Sequence, residues 1–234
     1  TTDRPKFKSR KKSKPSFYND TSKLKIKEKS ILIEKVGWVT IRKNAIPINC
    51  RYTNPRVSFD GKYWFISVGV ERKNINIELT NESIGIDVGI KDLAVCSNGM
   101  TFKNINKTNS TKKLKKRLHK LQHRVSQKYL KNKEGGKFVK TSNIIKIEKQ
   151  IRLLYRKLAN IRSNHSHQAT NLIVKTKPSR IVMETLNIKE MMKNQYLSKL
   201  IMEQCVYEFK RQLRCKCEFN GTEFEAVDKW YPSS

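Results

Sequence analysis

The sequence predicts an α/β protein: a mixed sheet interrupted by a long helical hairpin, with a smaller antiparallel β region ahead of it. Three observations carry this. Before residue 80 the chain reads as short alternating pieces joined by turn residues. From Ile84 onward, short apolar strands come first as neighbours and later separated by helices. Between residues 108 and 177 apolar residues recur at three- and four-residue steps, the spacing of one helix face.

Taken in order, residues 1–80 hold a basic N-terminal segment and then KLKIKEKSILIEK, GWVTIRK and RVSFDGKYWFISVGVE. The last of these turns at Asp60-Gly61, and alternation around a D-G pair argues antiparallel strands of a small barrel or sheet. RKNINIELTNES (72–83) is a polar connector. IGIDV (84–88) reads as a buried strand, and DLAVCSNGMTFKN gives two strands around Asn98-Gly99. In the first helical tract Leu114, Leu118, Leu121 and Val125 share a face. In the second Ile147, Ile151, Leu154, Leu158, Ile161, His165, Gln168 and Leu172 do so, and Gly135-Gly136 suits the loop between. One narrow apolar seam along an antiparallel hairpin is expected. After Pro178, SRIVMET (179–185) is a strand. Residues 195–217 form one helix with Leu197, Leu200, Ile201, Cys205, Phe209 and Leu213 inward, and TEFEAVD follows the turn at Asn220-Gly221. Strands joined first by hairpins and then through helices describe a mixed sheet of the ribonuclease H type. The expected domains are 1–80 and 81–234, the second carrying the basic hairpin 108–177.

Charge narrows the function. Fifty-one Lys+Arg against 20 Asp+Glu give a net charge of +31 on 234 residues, and only 37% of residues are hydrophobic. Self-repulsion at that charge opposes compaction unless a polyanion neutralises it, and nucleic acid rewards the pattern through counterion release. No apolar run approaches ~20 residues and no amphipathic membrane anchor is present, so a membrane partner is not expected. There is no signal peptide, and the opening TTDRPKFKSR, without a Met, reads as the interior of a longer protein. Five irregularly spaced cysteines argue for a reducing cytoplasm, and Cys215-Lys-Cys217 is a C-x-C without the spacing of a zinc knuckle.

The residues that carry chemistry are two acids. IGID87 and RIVME184 are each a short apolar strand ending in a carboxylate. If the strands lie side by side and parallel, both acids emerge at the C-terminal sheet edge, where open α/β sheets place their sites. A carboxylate buried at Asp87 needs compensation, which shared Mg²⁺ would supply. Gly85 and Gly89 leave room beside it for a phosphate. Either acid alone could equally cap a turn or pair with a lysine.

At these residues the chain resembles the TnpB family of transposon-encoded RNA-guided nucleases and the compact type V CRISPR effectors related to it. The matching pieces are PKFKSR (5–10), GWVTIR (37–42), GKYWFISVGVE (61–71), GIDVGIKDLAV (85–95), ANIRSNHSH (159–167), IVMETLNIKEMMKN (181–194) and VDKWYPSS (227–234). The resemblance implies a RuvC nuclease domain, in which Asp87 resembles the first and Glu184 the second of three catalytic, Mg²⁺-binding acids. It also implies a wedge-like β-barrel domain over 1–80 that grips guide RNA and target double-stranded DNA. In the family a C-x-x-C zinc ribbon and the third acid follow PSS, so both, with the Zn²⁺, are expected beyond Ser234. Asp228 matches a pre-ribbon segment and is expected to be structural.

Residues 110–175 hold nineteen Lys/Arg and two acids, Glu134 and Glu148, which speaks for a polyanion lying along the hairpin rather than for a merely solvated face. The expected nucleic-acid contacts are Lys6, Lys8, Arg10, Lys112, Lys113, Lys116, Arg117, Lys120, Arg124, Lys128, Arg152, Arg156 and Arg162. His165 is expected in the apolar seam, His119, His123 and His167 at the surface, and Trp38, Tyr63, Trp64 and Phe65 chiefly in the barrel core. The function these readings imply is RNA-guided, Mg²⁺-dependent hydrolysis of DNA. The alternatives are an RNA-guided DNA binder that does not cleave, and a conventional basic RNA-binding protein. The last leaves the paired strand-end acids unexplained.

Overall fold

The computed structural model describes residues 15–42, 46–48, 50–71, 77–185, 191 and 193–228. The chain separates into two compact units, Thr1–Lys73 and Asn74–Ser234.

In the first unit, β1 (Ser16–Tyr18), β5 (Tyr52–Phe59) and β6 (Trp64–Val70) form one antiparallel sheet. β2 (Lys25–Ile26), β3 (Ser30–Ile33) and β4 (Gly37–Thr40) form another. Two three-stranded antiparallel sheets thus stand where a small barrel or sheet was expected. Asp60 makes the β5–β6 turn by accepting the backbone N–H groups of Lys62 and Tyr63 at 2.9 and 2.8 Å. The core is small and aliphatic: Leu24, Ile31, Ile33 and Val57 are buried, with Ile66 and Val68 packed against them. The expected aromatic core does not form. Trp38, Tyr63, Trp64 and Phe65 are all more than 40% exposed. Alternation explains Phe65, because Ile66 and Val68 take the inward positions of β6 and turn Phe65 outward. Trp64 shares their face but stands at the start of the strand, past the aliphatic core. Lys27 lies over Trp38 at 4.5 Å, and Trp64 packs on Phe59 with centroids 5.0 Å apart.

The second unit is built on a five-stranded mixed sheet of order β13-β12-β7-β8-β9. β7 (Ser83–Asp87), β8 (Asp92–Cys96) and β9 (Thr101–Lys103) follow one another antiparallel. β12 (Arg180–Thr185) runs parallel to β7, and β13 (Glu223–Asp228) parallel to β12. Ile84, Ile86, Leu93, Ala94, Ile181 and Met183 bury one face of the sheet under Ala169, Ile173, Phe209 and Leu213 of the helices.

Between β9 and β12 run α1 (Asn109–Lys131) and α2 (Ser142–Lys175), each started by a threonine that accepts a first-turn N–H: Thr108 from Thr111 and Thr141 from Ile144. Their connection is itself a two-residue hairpin of β10 (Lys133–Glu134) and β11 (Lys137–Phe138). Gly135 and Gly136, at φ 53° and 79°, supply the two left-handed residues such a turn requires.

The seam between the helices holds for half their length. Leu118, Leu154 and Leu158 are buried there with Leu114, Leu121 and Ile151 around them. Beyond Leu158 the buried face of α2 moves on by one residue, about 100° around the helix, to Ser166, Ala169, Thr170, Ile173 and Val174. The expected seam residues Gln168 and Leu172 are exposed, and His165 is half-buried with Nε2 2.8 Å from the Lys103 carbonyl. The reason is a change of partner: this half of α2 packs on the sheet and on the last helix.

That last helix is also not one element. α3 (Gln195–Gln204) and α4 (Val206–Asn220) are broken at Cys205, whose φ of 55° is left-handed. Ile201, Phe209 and Leu213 are buried as expected, whereas Leu200 is exposed.

Candidate functional site

The ladder between β7 and β12 pairs Arg180 with Ser83, Ile181 with Ile84, Val182 with Gly85 and Met183 with Ile86. One step further in the same register are Glu184 and Asp87. Ile84, Ile86, Ile181 and Met183 face the core, so the period-2 alternation turns Asp87 and Glu184 to the opposite face of the sheet. The two acids are therefore neighbours on one face, on strands about 4.8 Å apart.

Asp87 is exposed and Glu184 half-buried, which corrects the expectation of a buried Asp87. The apolar run IGIDV buries only its alternate members, Ile84, Ile86 and Val88. Gly85 lies on the same outer face as Asp87. A Cβ there would meet nothing nearer than Ser97, at 3.8 Å, so the surface beside the acids is open. Ser97 ties this strand from the other side: its Oγ accepts the Gly85 N–H at 3.0 Å and its N–H donates to the Gly85 carbonyl at 2.9 Å.

Two carboxylates presented together on one face are hard oxygen donors of the kind Mg²⁺ takes in ones and twos, and the donor set fits such an ion. Among the described residues no group of three or more His, Cys, Asp or Glu could hold a metal. The backbone of Asp228 ends β13 in register with Thr185. Cys215-Lys-Cys217 offers no zinc site. Cys217 is fully buried on α4, and desolvation pushes its thiol up to about 12, so it packs as a neutral group.

The basic hairpin has a different geometry. Lys112, Lys113, Lys116, Arg117, Lys120, Arg124 and Arg152 are exposed, and Lys128 and Arg156 are half-buried. Lys6, Lys8 and Arg10 lie outside the described residues. Glu148 is engaged internally: it accepts the Tyr129 hydroxyl at 2.6 Å and Lys140 at 2.8 Å. Its pKa is lowered, chiefly by the Lys140 bond and then by that of Tyr129. Arg162 departs from the surface role expected of it. Its Nε donates to Asn106 Oδ1 at 2.8 Å, and its guanidinium lies 3.6 Å from Glu203, which also binds Lys115 at 2.5 Å.

Sequence reasoning missed the residues behind Asp87. Asn104, Asn106 and Gln204 are buried polar side chains; Asn104 and Gln204 bond to the loop that leaves β7, and Asn106 links the two through the Glu203 carbonyl. Only the N-I-N spelling at 104–106, an Asx turn ahead of a helix, hints at them.

A mixed α/β unit with paired strand-end acids and a basic hairpin is a class with known relatives. Residues 65–195, more than half of the chain, match the family model OrfB_IS605, described as "Probable transposase", and the chain belongs to that family. Two curated relatives carry the name "Putative RNA-guided DNA endonuclease". One is from Streptomyces pristinaespiralis, 27% identical over 98% of this chain and 55% of its own length. The other is InsQ from Escherichia coli (strain K12), 29% identical over 98% of this chain and 58% of its own. The chain thus spans little more than half the length of the curated relatives it matches. A solved Cas12f1–sgRNA–target DNA complex shares the fold, with a TM-score of 0.51 at 18% identity over 77% of this chain and 36% of that one.

Proposed function

We propose that this protein is an RNA-guided DNA endonuclease whose second unit is a RuvC-like, ribonuclease H-type nuclease domain. The observation that carries the proposal is the parallel register of β7 with β12, which sets Asp87 and Glu184 side by side on a member of a transposase family. The strand order, three antiparallel strands followed by two parallel additions, supports the RuvC-like reading.

Asp87 and Glu184 are the residues that would hold divalent ions, Mg²⁺ by the hardness of the donors. The chemistry a bound metal pair would supply there is activation of water and stabilisation of the leaving oxygen of a phosphodiester. The residues do the rest. Without cations the two carboxylates repel a phosphate, so cleavage is confined to the metal-loaded state. Gly85 leaves the approach beside them open. The exposed lysines and arginines of α1 and α2 hold guide RNA and its heteroduplex with the target strand through the backbone, leaving sequence choice to base pairing. The first unit, with its exposed aromatics and its lysines stacked on them, contacts guide RNA and the DNA duplex as a wedge-like domain. On this reading the reaction belongs to the prokaryotic cytoplasm. The zinc ribbon and third acid implied by the family belong to the same proposal.

The test is reconstitution. The full-length protein with its guide RNA should cut guide-matched DNA with Mg²⁺, and excess EDTA should stop the cutting without releasing the DNA. Guided binding with no cleavage under any divalent ion would overturn the nuclease reading in favour of a non-cleaving binder.

A further inference from the structure

Asp87 is the last residue of β7, and the chain leaves it through the loop 88–91, which has no strand partner. The carbonyls of that loop are bonded instead by side chains. Gln204 Nε2 donates to Gly89 O at 2.8 Å and to Asp92 O at 3.3 Å. Asn104 Nδ2 donates to Ile90 O at 2.9 Å, and Lys107 Nζ to Lys91 O at 3.1 Å.

The donors are themselves joined. Asn104 Oδ1 accepts the Asn106 N–H at 2.9 Å, and Asn106 Nδ2 donates to the Glu203 carbonyl at 2.9 Å, one residue before Gln204. The chain of bonds runs from the loop through Asn104, Asn106 and Glu203 to Gln204 and back to the loop. Arg162 braces it from α2 through Asn106 Oδ1. Asn104, Asn106 and Gln204 are 6%, 7% and 4% exposed. Buried amides are costly unless bonded, and these bonds serve neither the sheet ladder nor a helix interior.

A cavity of about 180 Å³ lies alongside, lined by Val88, Gly89, Ile90, Ile201, Gln204 and Val206. The loop could sink into it if Gln204 let go. An apolar side chain at 204 would fill space there and make none of these bonds.

We propose that Gln204, backed by Asn104, is a positioning residue: it fixes the loop behind Asp87 and thereby aims that carboxylate at the site shared with Glu184. The inference rests on the reading of Asp87 and Glu184 as metal ligands. Outer partners of metal-binding groups typically change affinity or activity by 10- to 100-fold, and a displacement of about 1 Å can cost about 10²-fold in rate.

The experiment uses the full-length protein with Gln204→Met, which keeps length and volume but removes the donor, and Asn104→Ser as a second variant. Three quantities are measured: melting temperature, Mn²⁺ affinity by electron paramagnetic resonance without nucleic acid, and guided cleavage over a range of metal concentrations. Gln204→Met should weaken Mn²⁺ binding and cleavage at limiting metal by about 10- to 100-fold. Guide binding should stay unchanged, and excess metal should restore part of the rate. Asn104→Ser should do the same to a smaller degree. Wild-type Mn²⁺ affinity and rate in Gln204→Met would overturn the proposal, as would a parallel fall of melting temperature, guide binding and metal affinity in both variants. Asp87→Asn is the control on the underlying reading. If it too leaves Mn²⁺ binding intact, the metal-ligand assignment has failed. If it abolishes Mn²⁺ binding while Gln204→Met does not, only the positioning role has failed.

Discussion

The sheet edge and the helical hairpin of the second unit use charge in opposite ways. At the edge, two acids are placed by strand register, and a one-residue slip of β12 would turn Glu184 to the buried face. On the hairpin, at least seven exposed lysines and arginines lie along α1 and α2, and no single one is placed by more than its helix. The first is a site of defined geometry and the second a field. Substitutions should therefore act as a switch at the edge and as a dial on the hairpin.

The largest effect is expected at Glu184. Glu184→Gln removes one of two adjacent anionic donors, and losing several kcal/mol of transition-state stabilisation should slow strand cleavage about 10³-fold or more. Guided binding, measured by filter retention, should be unchanged. A modest loss in both would blur the contrast with the hairpin.

Reversing charge on the hairpin should act by degrees. Each phosphate contact removed lowers the slope of log K against log salt by about 0.7 to 0.9. Lys116→Glu with Arg152→Glu should therefore weaken RNA binding progressively and without regard to RNA sequence. A salt slope equal to that of the wild type would remove these residues from the interface.

Arg162 sharpens the comparison, because it belongs to the hairpin in sequence and to the interior in structure. Arg162→Gln should leave the salt slope alone and lower stability by about 1–3 kcal/mol, the cost of stranding partners of a charged group. Urea unfolding reads it directly.

The smallest effect is on α4. Glu208 is held down at about 2, first by the Arg211 bond and then against the opposing pull of burial. Its folded pKa lies below the usual carboxylate range. Its contribution to stability is thus present above about pH 4.5 and lost as pH falls toward 2. The pair is solvent-exposed, so Glu208→Gln should cost no more than about 1 kcal/mol at pH 7, a gap that closes in acid.

Much of this fold could be read from residue patterns, and the misreadings share a physical cause. Turn residues and apolar spacing locate the strands of the second unit, and two strands ending in acids suggest the parallel pairing of β7 with β12. Exposure was harder. IGIDV looks buried throughout, yet alternation spares Asp87. Trp64 and Phe65 look like core, but the neighbouring Ile66 and Val68 already fill it. Along α2 the eye follows Leu172, while the packing follows small residues, Ala169 and Thr170, that let the helix approach its neighbours. The break at Cys205 has no glycine or proline to announce it. Gln204 carries no sequence pattern at all, since its role depends on a loop more than a hundred residues away.

The central claim is that Asp87 acts on the scissile phosphate through a bound metal and nowhere else. The direct test is Asp87→Asn in the full-length protein, with guided-target binding and strand cleavage measured side by side. Asparagine keeps the shape, removes the charge and is too weak a ligand for Mg²⁺. Because Asp87 is exposed, its replacement should not disturb the fold. The account predicts target binding at wild-type strength with cleavage abolished at every Mg²⁺ concentration. Binding and cleavage falling together, with a lowered melting temperature, would contradict it and make Asp87 a structural acid.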